Sequence, residues 1–391
     1  MRLLRFCSAF LPLVAGCILL SCQGMSNHSA PSNSATLLGA SSQILYVIGN
    51  GAVSTYSVDE NALTLTSVGQ PVNLIPNGSL LQFVPAPNDG FLYVLWSGVG
   101  NRQHLSVFAT NTSGVPQTPS VQTLDAPSLY QFNIHRSARF SYMTQVSDLG
   151  AEYTSTVRLF HINPADGKLR EDPKLQGSYG PYGVVPASLY GLSADGTHIY
   201  LSRQNSQGPF YEQRSLNAAN GTIGPDVVLY QPTSGATNSD TLVIGAQVMV
   251  DEHRASGTTG YIDVLPLVPR PLHHLFRCTA SMLAACASAT NVQIDPAGKY
   301  LFLTDPPTQR VHIARIHLDA KQVEDRGNSI PMTAETPGFA FSPDGTLVYA
   351  VLAGDLSVHV YSFNRASGQL IGGGTPLPIG NNYGFCPAFR R

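Results

Sequence analysis

Charge is scarce in this chain. Asp, Glu, Lys and Arg make up 12% of the residues, and the formal net charge is -2. That composition leaves no basic face for nucleic acid or an anionic lipid surface, so no nucleic-acid partner is expected. Helical periodicity is also missing after residue 30, which excludes a helical bundle or a doubly wound fold. Metal signatures are absent, with no His-Glu-x-x-His and no Cys-x-x-Cys spacing. The eleven His do not repair this. His273 and His274 are adjacent, and His312 and His317 are five apart, so on strands each pair points to opposite faces. Surface and packing roles are expected for them, with no metal and no cofactor. A Gly-x-Ser-x-Gly nucleophile turn is lacking too.

What the chain does have is Gly (36) and Pro (28) in quantity, as many short strands joined by tight turns require. The clearest unit runs from Gly338 to Leu370. Strand Phe339–Ser342 ends at Pro343-Asp344-Gly345, strand Leu347–Leu352 ends at Ala353-Gly354-Asp355, and strand Ser357–Phe363 ends at Asn364–Gly368 before a fourth strand near Leu370. Weaker copies recur about every 50 residues, the pattern of β-propeller blades.

An innermost strand is expected at Leu81–Val84, Gln131–Ile134, Leu189–Leu192, Val243–Val250, Val292–Ile294, Phe339–Ser342 and Phe385–Phe389. The turns after these strands are Asp-Gly or x-Gly types, with a looser turn expected at Arg136–Arg139, where Gly is missing. The second strands are Ile44–Ile48, Phe91–Leu95, Phe140–Thr144, His198–Ser202, Gly260–Leu265, Tyr300–Thr304 and Leu347–Leu352. Each carries a central aromatic, namely Tyr46, Tyr93, Tyr142, Tyr200, Tyr261, Phe302 or Tyr349. Recurrence in register points to packing between blades. The fifth copy is the poorest, because Pro266, Pro269 and Pro271 interrupt it around its expected third strand Leu272–Arg277.

The ordered part begins at Ile44 with a second strand and no first strand of its own. It ends with Asn382-Tyr383-Gly384-Phe385-Cys386-Pro387, which matches Thr336-Pro337-Gly338-Phe339-Ala340-Phe341 at a spacing of 46. The expected fold is therefore an all-β, seven-bladed propeller over 41–391. Its ring is closed by the C-terminal strand joining the first N-terminal blade, which leaves no free sheet edge inside the ring.

Residues 1–22 read as an export signal. A basic start at Arg2 and Arg5 precedes the apolar run Phe6 to Leu20, too short to span a bilayer as an ordinary helix. Leu19-Leu20-Ser21-Cys22 resembles a bacterial lipoprotein signal, in which the Cys22 thiol takes the lipid. Val14-Ala15-Gly16-Cys17 is a rival, but would leave Ile18-Leu19-Leu20 at the mature start. Residues 23–40 are rich in Ser and Asn and read as a flexible tether. Gln23 in place of Asp favours the outer membrane over the inner one. With Cys22 acylated, Cys278, Cys286 and Cys386 remain. A pairing of Cys278 with Cys286 is expected in an oxidising envelope, with Cys286–Cys386 as the rival.

The stretches Asp295-Pro296-Ala297-Gly298-Lys299-Tyr300-Leu301-Phe302-Leu303-Thr304-Asp305 and Ser342-Pro343-Asp344-Gly345-Thr346-Leu347-Val348-Tyr349 resemble the repeats of lactonase-type propellers, the 6-phosphogluconolactonase-like family, and more loosely of YVTN-type surface propellers. The resemblance implies a hydrolytic site carried by a Pro-His pair before one first strand and an Asn-Glu pair after a later second strand. Here those places hold Ala289-Thr290 and Leu352-Ala353. The acidic and basic positions flanking one loop do match, as Asp305 and Arg310. Lactone opening needs a group to activate water and a donor for the oxyanion. Arg310 could donate, whereas a base is not evident, and Asp305 has the competing reading of a turn residue before Pro306-Pro307. The repeated Trp of quinone-dependent propellers is absent, Trp96 being the one Trp. The expectation is a monomeric, lipid-anchored envelope module that binds a small molecule or protein. An extracytoplasmic lactone or sugar-derivative hydrolase is the alternative.

Overall fold

The structure is a computed structural model. It describes residues 42–390 apart from 50, 76, 88–89, 127–128, 149–152, 174–176, 183–187, 194, 206–207, 231–238, 245–247, 254–259, 267–275, 290, 332–338, 353–356 and 380–382. The expected signal, Cys22 and the tether lie outside the described residues.

The chain is all-β, and the described residues form seven antiparallel sheets. Each is written here from its innermost strand outward. Sheet 1 holds Tyr383–Arg390, Ser42–Gly49, Ala52–Asp59 and Thr64–Ser67, with Val72–Asn73 also pairing on Ala52–Asp59. Sheet 2 holds Ser79–Pro85, Phe91–Ser97, Gln103–Ala109 and Gln122–Asp125. Sheet 3 holds Leu129–Ile134, Phe140–Asp148, Tyr153–Ile162 and Leu169–Glu171, with Gly177–Tyr182 alongside. Sheet 4 holds Ser188–Leu192, His198–Asn205, Gly208–Leu216 and Ile223–Tyr230. Sheet 5 holds Ser239–Ile244, Val248–His253, Tyr261–Pro266 and Phe276–Cys278. Sheet 6 holds Asn291–Ile294, Tyr300–Asp305, Arg310–His317 and Gln322–Pro331. Sheet 7 holds Phe339–Phe341, Leu347–Leu352, Ser357–Asn364 and Gln369–Pro378. In sheet 1 the last strand of the chain pairs with the first, Tyr46 opposite Cys386 and Ile44 opposite Ala388.

In sheets 3, 4, 6 and 7 the turn after the innermost strand is closed by a backbone hydrogen bond. In sheet 6 the Gly298 N–H donates to the Asp295 carbonyl at 2.8 Å, with Gly298 at φ 72°. The buried Asp295 carboxylate accepts from the Lys299 N–H at 2.6 Å and the Tyr300 N–H at 2.7 Å. Sheets 4 and 7 repeat the closure through Gly196 and Gly345. The turn Arg136–Arg139 is not looser, as the missing Gly suggested. Ala138 takes a positive φ of 52° and its N–H closes on the His135 carbonyl at 2.8 Å. Side chains offset that strain. His135 is buried, and desolvation holds its imidazole below its ordinary value, hence neutral. Its Nε2–H donates to the Gly196 carbonyl of sheet 4 at 2.8 Å, while Nδ1 accepts from the Ser137 N–H at 3.2 Å.

Sheet 5 corrects the sequence reading. Val243–Val250 is not one strand. It spans the end of Ser239–Ile244 and the start of Val248–His253, which pair as a hairpin with Ile244 opposite Met249. Gly260–Leu265 is consequently the third strand, Tyr261 is not a second-strand aromatic, and Phe276–Cys278 is the fourth strand where Leu272–Arg277 was expected as the third. In sequence Val243 to Val250 is a mostly apolar stretch with no Asp-Gly or Pro to divide it. Helix was not expected beyond residue 30, yet Ala285–Ser288 forms a short one.

No sheet has a core of its own; the core lies between sheets. Leu45, Val47 and Val58 of sheet 1 pack with Leu347, Tyr349 and Val358 of sheet 7. Tyr93, Leu95 and Val107 of sheet 2 pack with Phe132 and Met143 of sheet 3. Tyr300 and Phe302 of sheet 6 pack with Phe339, Phe341 and Phe363 of sheet 7. Contacts between innermost strands run from Tyr383–Arg390 to Ser79–Pro85 and on through sheets 3, 4, 5 and 6. Phe339–Phe341 returns to Tyr383–Arg390.

The recurrent second-strand tyrosine explains the spacing. Tyr46, Tyr93 and Tyr142 each donate the phenol to a glycine carbonyl in the outer hairpin of the next sheet: Gly114 at 2.7 Å, Gly167 at 2.8 Å and Gly221 at 2.8 Å. Sheet 6 has Phe302 at this position, and Tyr300, two residues earlier on the same face, reaches the Ala366 carbonyl at 3.2 Å instead. Tyr349 of sheet 7 donates to the buried Gln43 Oε1 at 3.1 Å. Burial pushes the Tyr93, Tyr142 and Tyr349 phenols far above their ordinary value, so they remain protonated donors. The hairpin must be glycine where it meets the tyrosine-bearing sheet. Gly221 sits at φ 78°, and a Cβ there would stand 2.9 Å from the Phe140 ring.

Two substitutions separate these effects. Tyr142→Phe loses one buried hydrogen bond and should cost about 1 kcal/mol. Gly221→Ala imposes left-handed strain and a clash and should cost about 2–4 kcal/mol. Denaturant melts check both, and equal costs would contradict the geometry.

Candidate functional site

The hairpin between the second and third strands of sheet 6 carries both residues singled out in the sequence. Asp305 ends Tyr300–Asp305, Arg310 starts Arg310–His317, and the two stand opposite in the ladder. Pro306–Thr308 forms a single 3-10 turn between them, and Gln309 closes it at φ 53°. Asn291, the first residue of the innermost strand, pairs with Thr304. The hairpin therefore sits at the end of the sheet where its innermost strand begins, on the side of the connection arriving from sheet 5.

Asp305 is 2% exposed, and both carboxylate oxygens are engaged. Ser288 Oγ, from the short helix on that connection, donates to Oδ1 at 2.6 Å. Thr308 Oγ1 donates to Oδ2 at 2.6 Å. His312 Nε2 lies 3.4 Å from the same Oδ2 and 3.1 Å from Thr308 Oγ1. His312 Nδ1 lies 3.3 Å from Asp325 Oδ2 on the outermost strand. Arg310 is exposed and pairs with neither carboxylate; its Nη1 donates to Ser329 Oγ at 2.5 Å. Asp305 and Arg310 thus share one hairpin without forming an ion pair.

Sequence reasoning found the two ends of this hairpin and missed Ser288, Thr308, Asp325 and the part played by His312. Thr308 was legible in principle, three residues after an Asp in a Pro-Pro turn. Ser288 and Asp325 come from other elements and left no local signal. His312 and His317 do take separate partners, His317 Nε2 lying 2.8 Å from Glu324 Oε2. His273, His274, Thr290 and Ala353 lie outside the described residues, as does the side chain of Cys386. No group of three or more His, Cys, Asp or Glu among the described residues could hold a metal ion.

The disulfide Cys278–Cys286 stands directly behind this site. Cys278 is on the outermost strand of sheet 5, and Cys286 lies in the helix that carries Ser288. Beside it the Arg277 guanidinium makes a bidentate contact with the buried Asp263, at 2.8 Å and 2.9 Å, and lies 3.6 Å from the centre of the Tyr261 ring.

Chemically, the cluster is rich in hydrogen bonds and poor in free acceptors. Each Asp305 oxygen and each His312 ring nitrogen has a partner within the chain, and Asp305 is 2% exposed, so water has little access to the carboxylate. Arg310 and the rim hydroxyls remain able to meet a polar ligand.

No known family profile and no curated protein matches the chain. Solved structures do match over most of its length. The Pseudomonas aeruginosa periplasmic gluconolactonase PpgL superposes with a TM-score of 0.59 at 15% identity, covering 88% of this chain and 99% of that one. A candidate 6-phosphogluconolactonase from Bacteroides fragilis gives a TM-score of 0.59 at 14% identity, over 92% of this chain and 99% of that one. Apo AztD from Citrobacter koseri gives 0.54 at 12% identity, over 90% and 99%. The fold is that of the lactonase-like β-propellers. At such identities the likeness extends to the fold alone.

If Asp305 is the hub of the rim, Asp305→Asn should lower stability by about 1.5–3 kcal/mol through its hydrogen bonds to a buried charge. Arg310→Ala, at an exposed site, should cost under about 0.5 kcal/mol. Thermal or denaturant melts decide it, and a larger loss for Arg310→Ala would reverse the assignment.

Proposed function

We propose that this protein is an exported, lipid-anchored propeller of the cell envelope that acts as a binding or scaffold module through the rim of sheet 6. The observation that carries this reading is the burial of Asp305, 2% exposed, inside a network of partners from the same chain. A carboxylate shielded from solvent and held by Ser288 and Thr308 suits the support of a rigid recognition surface better than the activation of a water molecule. The seven sheets and the ladder between Tyr383–Arg390 and Ser42–Gly49 support a seven-bladed ring closed by the C-terminal strand. The export signal at 1–22 supports anchorage through Cys22, and the outer membrane is the favoured destination. One similar fold is named a periplasmic gluconolactonase, which agrees with export.

The alternative is an extracytoplasmic hydrolase of a lactone or related sugar derivative. Its specific support is the exposed Arg310 beside Asp305, a donor for a developing oxyanion. Assays of the mature protein on gluconolactone-type substrates should give rates at the spontaneous level. Turnover well above that level, lost on Arg310→Ala, would establish the hydrolase and remove the binding-module reading.

Anchorage has its own measurement. Mass spectrometry of protein extracted from membranes should find a mature N-terminus at Cys22 carrying diacylglycerol. Lipid on Cys17, or an unacylated mature start elsewhere, would overturn it.

A further inference from the structure

We propose that the Cys278–Cys286 disulfide is a positioning bond for the sheet 6 rim, so that the Asp305 cluster assembles only in the oxidised chain. The functional weight of this proposal rests on the reading of that rim as the binding site, but the coupling between bond and rim does not.

The helix Ala285–Ser288 has four residues and no side-chain cap at its N-terminus. A segment this short is not a stable helix by itself. What holds it includes the disulfide, burial of Ala285, Cys286 and Ala289, backbone bonds from the turn before it, and a hydrogen bond from the Gly260 N–H to the Ala287 carbonyl at 3.2 Å. The other end of the disulfide is firm. Cys278 is fully buried and pairs with Ile262 in the ladder of sheet 5. Ser288 stands two residues beyond Cys286, so whatever orients the helix aims the Ser288 hydroxyl.

That hydroxyl has one proton and two acceptors within reach. Asp305 Oδ1 is 2.6 Å away, and the Ala284 carbonyl, one turn back in the same helix, is 3.3 Å away. With the helix held by the disulfide, the shorter bond to Asp305 is made. If the segment is released, its single turn is no longer held and the Ser288 hydroxyl leaves Asp305. A carboxylate 2% exposed then loses one of its two hydroxyl donors. A buried acceptor left unpaired is costly, so Asp305, Thr308 and His312 must rearrange together. Bond formation is ordinary exchange with a disulfide-bearing oxidant. The two cysteine thiols lose two electrons and two protons, the oxidant is reduced to two thiols, and the Cys278–Cys286 bond remains. Both sulfurs belong to buried residues, so reduction in the folded protein needs local opening and prolonged exposure to thiol.

The test is a double-mutant cycle. Ser288→Ala is measured in the oxidised native chain and in a Cys278→Ser/Cys286→Ser background. The expected result is a fall in Tm of roughly 2–4 °C in the native chain and no shift in the cysteine-free one. An equal fall in both backgrounds would overturn the proposal, as would no fall in either. If the cysteine-free chain does not fold, hydrogen exchange of the native protein with and without dithiothreitol replaces the cycle. Protection at 285–289 and at 305–312 should then be lost together. Loss at 285–289 alone would refute the coupling. Neither measurement reads ligand or turnover, so a failed binding assay and a failed coupling are separate outcomes.

Discussion

The sheets of this protein cover one another's apolar faces, and at four of the contacts between them a tyrosine reaches from one sheet to the outer hairpin of the next. A sheet apolar on both faces must bury each of them against another element. Here the Tyr46, Tyr93 and Tyr142 phenols bind the next sheet by a hydrogen bond at its outer edge, while their rings fill the gap inside. The glycines that receive them serve two purposes. Positive φ closes the hairpin, and the missing Cβ leaves room for Ile44, Phe91 and Phe140, each two residues before its tyrosine. Sheet 6 shows that geometry, and not the identity of one position, is what counts. With Phe302 lacking a hydroxyl, Tyr300 supplies one from the same face.

This constraint accounts for how much of the fold was legible in sequence. A strand in such a sheet must present an aromatic at a fixed distance from its first turn, so Tyr46, Tyr93, Tyr142, Tyr200 and Tyr349 recur in step with Asp-Gly or its equivalents. Reading failed where the turn chemistry was replaced by something nonlocal. Ala138 closes a tight turn without glycine because His135 and Ser137 brace it, and His135 does so by bonding to Gly196 in another sheet. No local pattern announces that. Sheet 5 failed for the opposite reason. Its first hairpin lies within Val243 to Val250, a mostly apolar stretch without Asp-Gly or Pro, and periodicity cannot divide such a stretch without a turn signal.

The rim of sheet 6 was half legible for a related physical reason. Asp305 and Arg310 bracket a turn, and turns write themselves into sequence through Pro and Asp. The partners that give Asp305 its setting arrive from a helix on the preceding connection and from strands three and four of the same sheet. Only folding brings Ser288, His312 and Asp325 to one carboxylate, with Asp325 reached through His312.

Position in the repeat adds a final argument. The copy that departs most from the pattern is the fifth, where prolines interrupt the sequence, and the chain leaving it is tied by a disulfide and carries a short helix. A repeat under selection only for stacking would have no use for either. Local departures from an otherwise consistent sequence concentrate where a protein does something besides fold. In this chain the departure ends at Ser288, and Ser288 ends at Asp305. The irregular stretch and the polar rim are therefore one structure, built outward from sheet 5 to hold a single buried carboxylate at the mouth of sheet 6.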